Sequence, residues 1–433
     1  MKLLIKKGRV LDPGQKIDGV FDLLLAEGRI VDIQTEIRVE TDRVVEASGL
    51  VVVPGFIDLH VHLREPGFEH KETIASGSRA AARGGFTTIC CMPNTSPVAD
   101  SVEIIKFIKE KARKEAVVNI LPVAAVTVGQ KGQELAPLEE LAAAGAVAFS
   151  DDGQPVWNSA LMRQAMERAA SLGRLLIDHC EEKSLAAGGV IHEGQVSRNL
   201  NLPGIPAEAE EIMVARDLIL ARHNGWPVHL AHLSTAGSVA LLDWARAEGV
   251  PVSAEVTPHH LLLTEELLLT RDPVYKVNPP LRTETDRRAL LQALKSGLIE
   301  VIATDHAPHA EQEKALGLEK APFGINGLET AVPSLLDRLV RTAELPLERL
   351  IQALTIAPAR LLKLENKGRI KIGAEADLVL LDINGTTSVR REDLQSRSKN
   401  TPFLNTSFRG AVAMTIVGGK VVYPSEKDNK NIG

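Results

Sequence analysis

Phe56-Ile57-Asp58-Leu59-His60-Val61-His62-Leu63-Arg64 is the stretch on which the reading of this chain turns. It is a short run, apolar along its length, that breaks at its carboxyl end into imidazoles and a guanidinium. Strands buried on both faces look like this, because parallel sheets covered by helices have no polar face to alternate with. Seven further runs of the same kind follow, at residues 86–92, 117–126, 145–150, 174–180, 227–233, 250–256 and 299–304. Helix-like segments such as 101–114, 159–172 and 235–248 separate them. Eight alternating units predict a (β/α)8 barrel of the TIM type, an α/β fold. The rival is a doubly wound sheet, but no glycine-rich dinucleotide loop follows the first run.

Outward from the barrel, both chain ends read as strands. Residues 21–26 and 29–33 flank Glu27-Gly28, and residues 411–417 meet 420–423 across Gly418-Gly419, both two-residue hairpin connections. Gly368-Arg369-Ile370 leads into another apolar run at 377–381. One small β-sandwich-like module made from both termini is the economical assignment, since termini often lie close together. The expected division is therefore residues 1–54 with 365–433 as the composite module, and 55–364 as the barrel. The polar tail after Pro424 is expected to fray.

Composition narrows the function. With 433 residues, 44% hydrophobic and 24% charged, the chain is ordinary globular protein. A net charge of −6 and few aromatic residues (nine Phe, three Trp, two Tyr) argue against nucleic acid as a partner. No run reaches the length of a membrane span, and the apolar stretch after Lys2 is too short for a signal peptide. Three cysteines, two of them adjacent, make neither a disulfide framework nor a CxxC site. A reducing compartment, the cytoplasm, is the expectation.

The chemistry is expected at the carboxyl ends of the strands, where barrels of this kind build active sites. His60 and His62 are two apart, so a strand presents both imidazoles to one point. The fourth run closes with Asp151-Asp152-Gly153, the fifth with Asp178-His179-Cys180, the sixth carries His229 and His232, and the eighth ends in Asp305-His306. Singly, each has an ordinary structural explanation: a turn aspartate, a satisfied core histidine, a helix cap. Together they fall on one face. Barrel order makes the eighth and first strands neighbours, so Asp305 joins His60 and His62 in one cup. His179 and His232 form a second, and Asp151 or Asp152 bridges the two. Nitrogen and oxygen ligands without thiolate suit zinc, with manganese or cobalt as substitutes. Two such ions about 3.5–4 Å apart would share a hydroxide and polarise a carbonyl, the chemistry of amide hydrolysis or its reverse. Asp305 is placed to move the proton. Arg64, just past the histidine pair, suits a substrate carboxylate unless Glu65 or Glu69 pairs with it. Asn94 and Asn278 are further polar candidates on the rim.

Residues 54–67 resemble the opening motif of the cyclic amidohydrolases, and specifically of the dihydroorotase family. Similar to that family too are Gly84-Gly85-Phe86-Thr87-Thr88, Met92-Pro93-Asn94-Thr95, Asp178-His179-Cys180-Glu181, Ala231-His232-Leu233-Ser234-Thr235, Thr257-Pro258-His259-His260, Lys276-Val277-Asn278-Pro279-Pro280-Leu281-Arg282 and Ala303-Thr304-Asp305-His306-Ala307-Pro308-His309. The resemblance runs nearly end to end. It implies reversible cyclisation of N-carbamoyl-L-aspartate to (S)-dihydroorotate in pyrimidine synthesis. It also implies His60, His62, Asp152, His179, His232 and Asp305 as ligands for two Zn2+ ions, with Asp305 the catalytic acid and base. Arg64, Asn94 and His309 would meet the substrate carboxylate; Asn278, Phe323 and Gly324 would meet the ring, beside His62. Hydantoinases, allantoinases and one class of dihydroorotases bridge their metals with a carboxylated lysine on strand four. Here that stretch reads Ala146-Val147-Ala148-Phe149-Ser150-Asp151-Asp152 and resembles the longer bacterial class, in which aspartate takes the bridge. The alternatives are another cyclic amidohydrolase, of dihydropyrimidinase or allantoinase type, and a non-catalytic partner of aspartate transcarbamoylase. The latter would be expected to have lost ligands. Homodimerisation and association with aspartate transcarbamoylase are the partner states this resemblance brings with it.

Overall fold

The computed structural model describes residues 2–425. Its centre is a ring of eight strands: Phe56–Val61, Phe86–Cys91, Asn119–Ala124, Ala148–Phe149, Leu175–Asp178, Val228–Leu230, Val252–Val256 and Val301–Ile302. Each pairs in parallel with the next. The ring closes between the eighth strand and the first through a parallel bridge of Val61 with His306. Asp58 staples this seam, its buried carboxylate accepting from the Thr304 N–H (3.1 Å) and hydroxyl (2.6 Å). The regular ladders are shorter than the apolar runs that announced them, only two residues in the fourth and eighth strands. The chain leaves the ladder early there to aim polar side chains at the centre.

The expected helices are present at Val102–Glu115, Ser159–Ser171 and Ala236–Ala247. The last starts where the Thr235 hydroxyl oxygen accepts from the Ser238 N–H, satisfying a donor the helix itself cannot pair.

Both chain ends enter a second, eight-stranded sheet. Its joint is Val51–Pro54, a strand the hairpin signals did not single out. It pairs in parallel with Lys2–Asp12 and antiparallel with Leu378–Ser388. The two expected turns are the hairpins Ala26–Arg29 and Val417–Lys420. Glu27, Gly28, Gly418 and Gly419 all have positive φ, which is why these turns favour glycine. The two turns meet across residue 376: its N–H donates to the Gly28 carbonyl and its carbonyl accepts from the Gly419 N–H. The sheet thus curls onto itself around Leu3, Ile5, Leu23, Leu25, Leu378 and Leu380, all buried. The tail beyond residue 425, expected to fray, lies outside the described residues.

Between Leu378–Ser388 and Ser407–Val417 the chain leaves the sheet and runs over the barrel. Residues 395–400 form a strap there. The Ser396 hydroxyl donates to Glu72, the Gln395 and Ser396 N–H groups donate to Glu329, and the Ser398 hydroxyl donates to the Lys71 carbonyl.

Candidate metal centre and substrate cavity

All six expected ligands converge at the carboxyl mouth of the barrel. Asp152 sits in the middle. Its Oδ1 lies 3.2 Å from His60 Nε2, 3.4 Å from His179 Nδ1 and 3.5 Å from His232 Nε2, while Oδ2 lies 3.4 Å from His62 Nε2. Asp305 Oδ1 is 3.1 Å from His62 Nε2 and 3.7 Å from His60 Nε2. His179 Nδ1 and His232 Nε2 are 2.9 Å apart. Two compact groups of metal-competent atoms result, His60/His62/Asp305 and His60/Asp152/His232, so His60 belongs to both.

The pair that strand order left open, and of which the resemblance implied Asp152, separates here. Asp151 turns outward, accepting from the Val126 N–H (2.8 Å), the Thr127 N–H (3.1 Å) and the Thr127 hydroxyl. Asp152 turns in. Arg64, His232 and Asp305 all hold positive φ, a backbone conformation that side chains disfavour and that clusters at functional sites.

Hydrogen bonding shows what the cup lacks. The Asn94 side-chain oxygen accepts from His62 Nδ1–H (2.8 Å), and the Glu255 carboxylate accepts from His60 Nδ1–H (2.9 Å). Each ring is left with an Nε2 lone pair, and those lone pairs face carboxylate oxygens. His60 Nε2 and Asp152 Oδ1 are buried with no hydrogen-bond partner. Acceptors facing acceptors need a cation between them. The electrostatics agree. Burial opposes ionisation, yet the surrounding imidazoles hold Asp152 and Asp305 well below the usual carboxylate range. Burial likewise opposes the charged form of His60, but Asp152 and Glu255 override it and raise its pKa well above the ordinary value, so the Nε2 position draws a positive charge, either a proton or a metal ion. The donor set of imidazole nitrogen and carboxylate oxygen fits a divalent transition metal.

Above the cup lies a cavity of about 320 Å3, lined by the cup and by Arg64, Asn94, Asn278, His309, Phe323 and Gly324. Arg64 pairs with neither Glu65 nor Glu69. Its Nε donates to the Pro308 carbonyl (3.2 Å), and its guanidinium lies 3.3 Å from His309 Nε2. Burial pushes its pKa down to about 10, so it stays a cation, and burial with Arg64 holds His309 down at about 2, a neutral ring. His309 Nε2–H donates to the Phe323 carbonyl (2.7 Å). Asn278 donates to Glu181 (2.7 Å) and lies 3.4 Å from His179.

Two contributors were missed in the sequence. Glu255, fully buried on the seventh strand, is visible only as a carboxylate inside an apolar run. Asn400, in the strap, accepts from the His309 N–H (3.2 Å) and donates to the Gly324 carbonyl (3.1 Å). It carried no signal, because both its side-chain partners are backbone groups.

A parallel barrel with a histidine-carboxylate cup at its carboxyl mouth defines a hydrolase of the amidohydrolase type. In agreement, L-hydantoinase (dihydropyrimidinase) from Arthrobacter aurescens superposes with a TM-score of 0.87 at 27% identity, covering 97% of this chain and 95% of that one. Dihydropyrimidinase from Brevibacillus agri gives 0.85 at 25%, with the same coverage. A family model described as dihydro-orotase-like matches residues 49–238. The dihydroorotase of Pelotomaculum thermopropionicum is 52% identical over 424 residues, 98% of each chain. That of Syntrophus aciditrophicus is 46% identical over 428 residues, 98% of this chain and all of its own. The chain belongs to the dihydroorotase family.

Proposed function

We propose that this enzyme interconverts N-carbamoyl-L-aspartate and (S)-dihydroorotate, using two zinc ions held by His60, His62, Asp152, His179, His232 and Asp305. The observation that carries this reading is the meeting of those six side chains beneath a cavity whose rim holds a buried arginine. Bound there, zinc would supply Lewis-acid polarisation of the ring carbonyl and an acidified water. The protein's own residues do the rest. Arg64 receives the substrate carboxylate as a charge-assisted pair, with the Asn94 amide beside it. Asn94 also fixes a tautomer. Its oxygen holds the proton of His62 on Nδ1, which leaves the other ring nitrogen bare toward the cup. His309, neutral, packs against Arg64 without adding charge. Asp305 takes a proton from the attacking water and returns it to the ring nitrogen as the amide bond breaks; cyclisation runs the same transfer backwards. With metal bound, Asp152 would take the place of the carboxylated lysine of other cyclic amidohydrolases, since the fourth strand, Ala148–Phe149, holds no lysine.

In this reading residues 55–364 carry the chemistry, and residues 1–54 with 365–433 support it. A hydantoinase-type specificity is disfavoured by Arg64, a cation in the path of an uncharged ring. A non-catalytic assembly role is disfavoured by the full ligand set. Among the described residues no helix is long and apolar enough to cross a membrane, and all three cysteines are free and buried; both support a cytoplasmic setting. The deciding experiment is loss of dihydroorotate absorbance on adding purified protein, with zinc content measured on the same sample. No turnover at full zinc occupancy would overturn the assignment. Gel filtration alone and with aspartate transcarbamoylase tests homodimerisation and that association.

A further inference from the structure

We propose that Glu255, anchored from behind by His229 and Ser253, is the positioning residue that commits His60 to metal binding. The inference rests on the metal-centre reading above and deepens it. Ser253 and Glu255 are two apart on the seventh strand, so their side chains leave the same face, and both are buried. The carboxylate divides its oxygens. Oε1 accepts from His60 Nδ1–H at 2.9 Å, and Oε2 accepts from His229 Nε2–H at 3.1 Å. His229 Nδ1 meets the Ser253 hydroxyl at 2.7 Å.

With both rings neutral, as metal binding at His60 Nε2 requires, donor and acceptor counting leaves one arrangement for this column. A carboxylate accepts only, so both facing ring nitrogens carry their protons. A neutral His229 protonated at Nε2 has a bare Nδ1, and Ser253 must therefore be the donor to it. At the other end, His60 with its proton on Nδ1 has a bare Nε2, aimed at Asp152. Without Glu255, His60 is free to carry the proton on Nε2, where it fills the metal's place with a hydrogen. Glu255 also receives the His232 N–H at 3.4 Å, so one buried carboxylate spans two ligand-bearing strands. His229 is not itself a ligand: it is fully buried and both ring nitrogens are occupied within the column.

Glu255→Gln makes a discriminating variant because the column can absorb it. The glutamine oxygen still accepts from His60 but, being neutral, no longer raises the basicity of its Nε2, and the glutamine amide donates to His229 Nε2. His229 must then move its proton to Nδ1 and donate to Ser253, which a hydroxyl permits. The expected results are a folded protein, a nitrogen-15 signature of His229 switched from Nε2–H to Nδ1–H, and zinc affinity about 10–100-fold weaker by chelator competition on apo-protein. If the wild type takes up no zinc, the metal-centre reading falls, and this one with it. If the wild type binds zinc and Glu255→Gln binds it equally, or folds without the His229 switch, only the present inference falls. Should Glu255→Gln fail to fold, Ser253→Ala acts two bonds further from His60. It should weaken zinc binding by about three- to tenfold, and unchanged affinity would overturn the proposal.

Discussion

The cup and the rim of this site are built differently. In the cup, His60, His62 and Asp152 stand at or just past strand ends, and the two first-strand imidazoles are braced across the barrel by Glu255 and Asn94. On the rim, Arg64, His309 and residues 322–324 belong to loops. They are held by side chains reaching to backbone, as from Arg64 to Pro308, His309 to Phe323, and Asn400 to both His309 and Gly324. In the proposed function the reacting groups are those on the ring, where a small displacement would be costly. Recognition sits on loops, whose shape is supplied partly by a segment from the other end of the chain.

On that division, damage to the cup should abolish catalysis and damage to the rim should tune it. The largest effect is expected from Asp305→Asn, which can still ligate through oxygen but cannot shuttle a proton. kcat should fall by about 10²–10⁴-fold with most zinc retained, and more than a tenth of wild-type kcat would remove Asp305 from its role. Next comes the aspartate pair. Asp152→Ala should lose zinc and activity together, with no rescue by bicarbonate, because the proposed aspartate bridge, unlike a carboxylated lysine, would need no carbon dioxide. The wild-type apo-protein should accordingly regain full activity from zinc in bicarbonate-free buffer. Asp151→Ala should instead keep zinc and lose stability, by about 1–3 kcal/mol, since it leaves buried donors at residues 126–127 unpaired. The reverse pattern in metal content would break the comparison. Arg64→Met should lower kcat/KM for dihydroorotate by at least about 10–100-fold while sparing any turnover of dihydrouracil; equal losses on both rings would refute the carboxylate contact. Asn400→Ala should be milder, raising KM by several-fold at unchanged zinc content, so a change in bound metal would place the strap in the cup rather than the rim.

The smallest expected effect lies outside both regions. Burial, with Arg282 close by, lowers His192 to about 4. An unfolded chain protonates this ring near 6.5, so between pH 6.5 and 4 the unfolded state binds the extra proton and stability falls as pH falls. His192→Gln should flatten that part of the Tm-versus-pH curve; an unchanged slope would show that His192 does not contribute.

The barrel was legible because parallel strands covered on both faces must be apolar throughout, and the cup because strand ends gather at one mouth. Spacing alone did not tell Asp151 from Asp152 and the choice of Asp152 rested on the family resemblance, since the physical reason lies with Thr127, a residue of the preceding unit. Glu255 stayed hidden because its partner His60 is 195 residues away and nothing in the intervening chain marks the pairing. Val51–Pro54 was missed for another reason. It is four apolar residues directly before the first barrel strand, and local pattern does not say that a chain changes sheets at Gly55.

The strap has a consequence in time. A ribosome delivers Glu72 and Asp12 early, but Ser396, which binds Glu72, lies 324 residues further on, and Ile370, which binds Asp12, lies 358 further on. All residues of the cup, and Arg64 on the rim, precede the strap in the chain. During that interval the emerging polypeptide presents an unpaired strand edge at Val51–Pro54, and the loop around His309 lacks the brace that Asn400 provides. The rim is therefore completed later in synthesis than the cup, because Asn400 follows every strand of the ring in the chain.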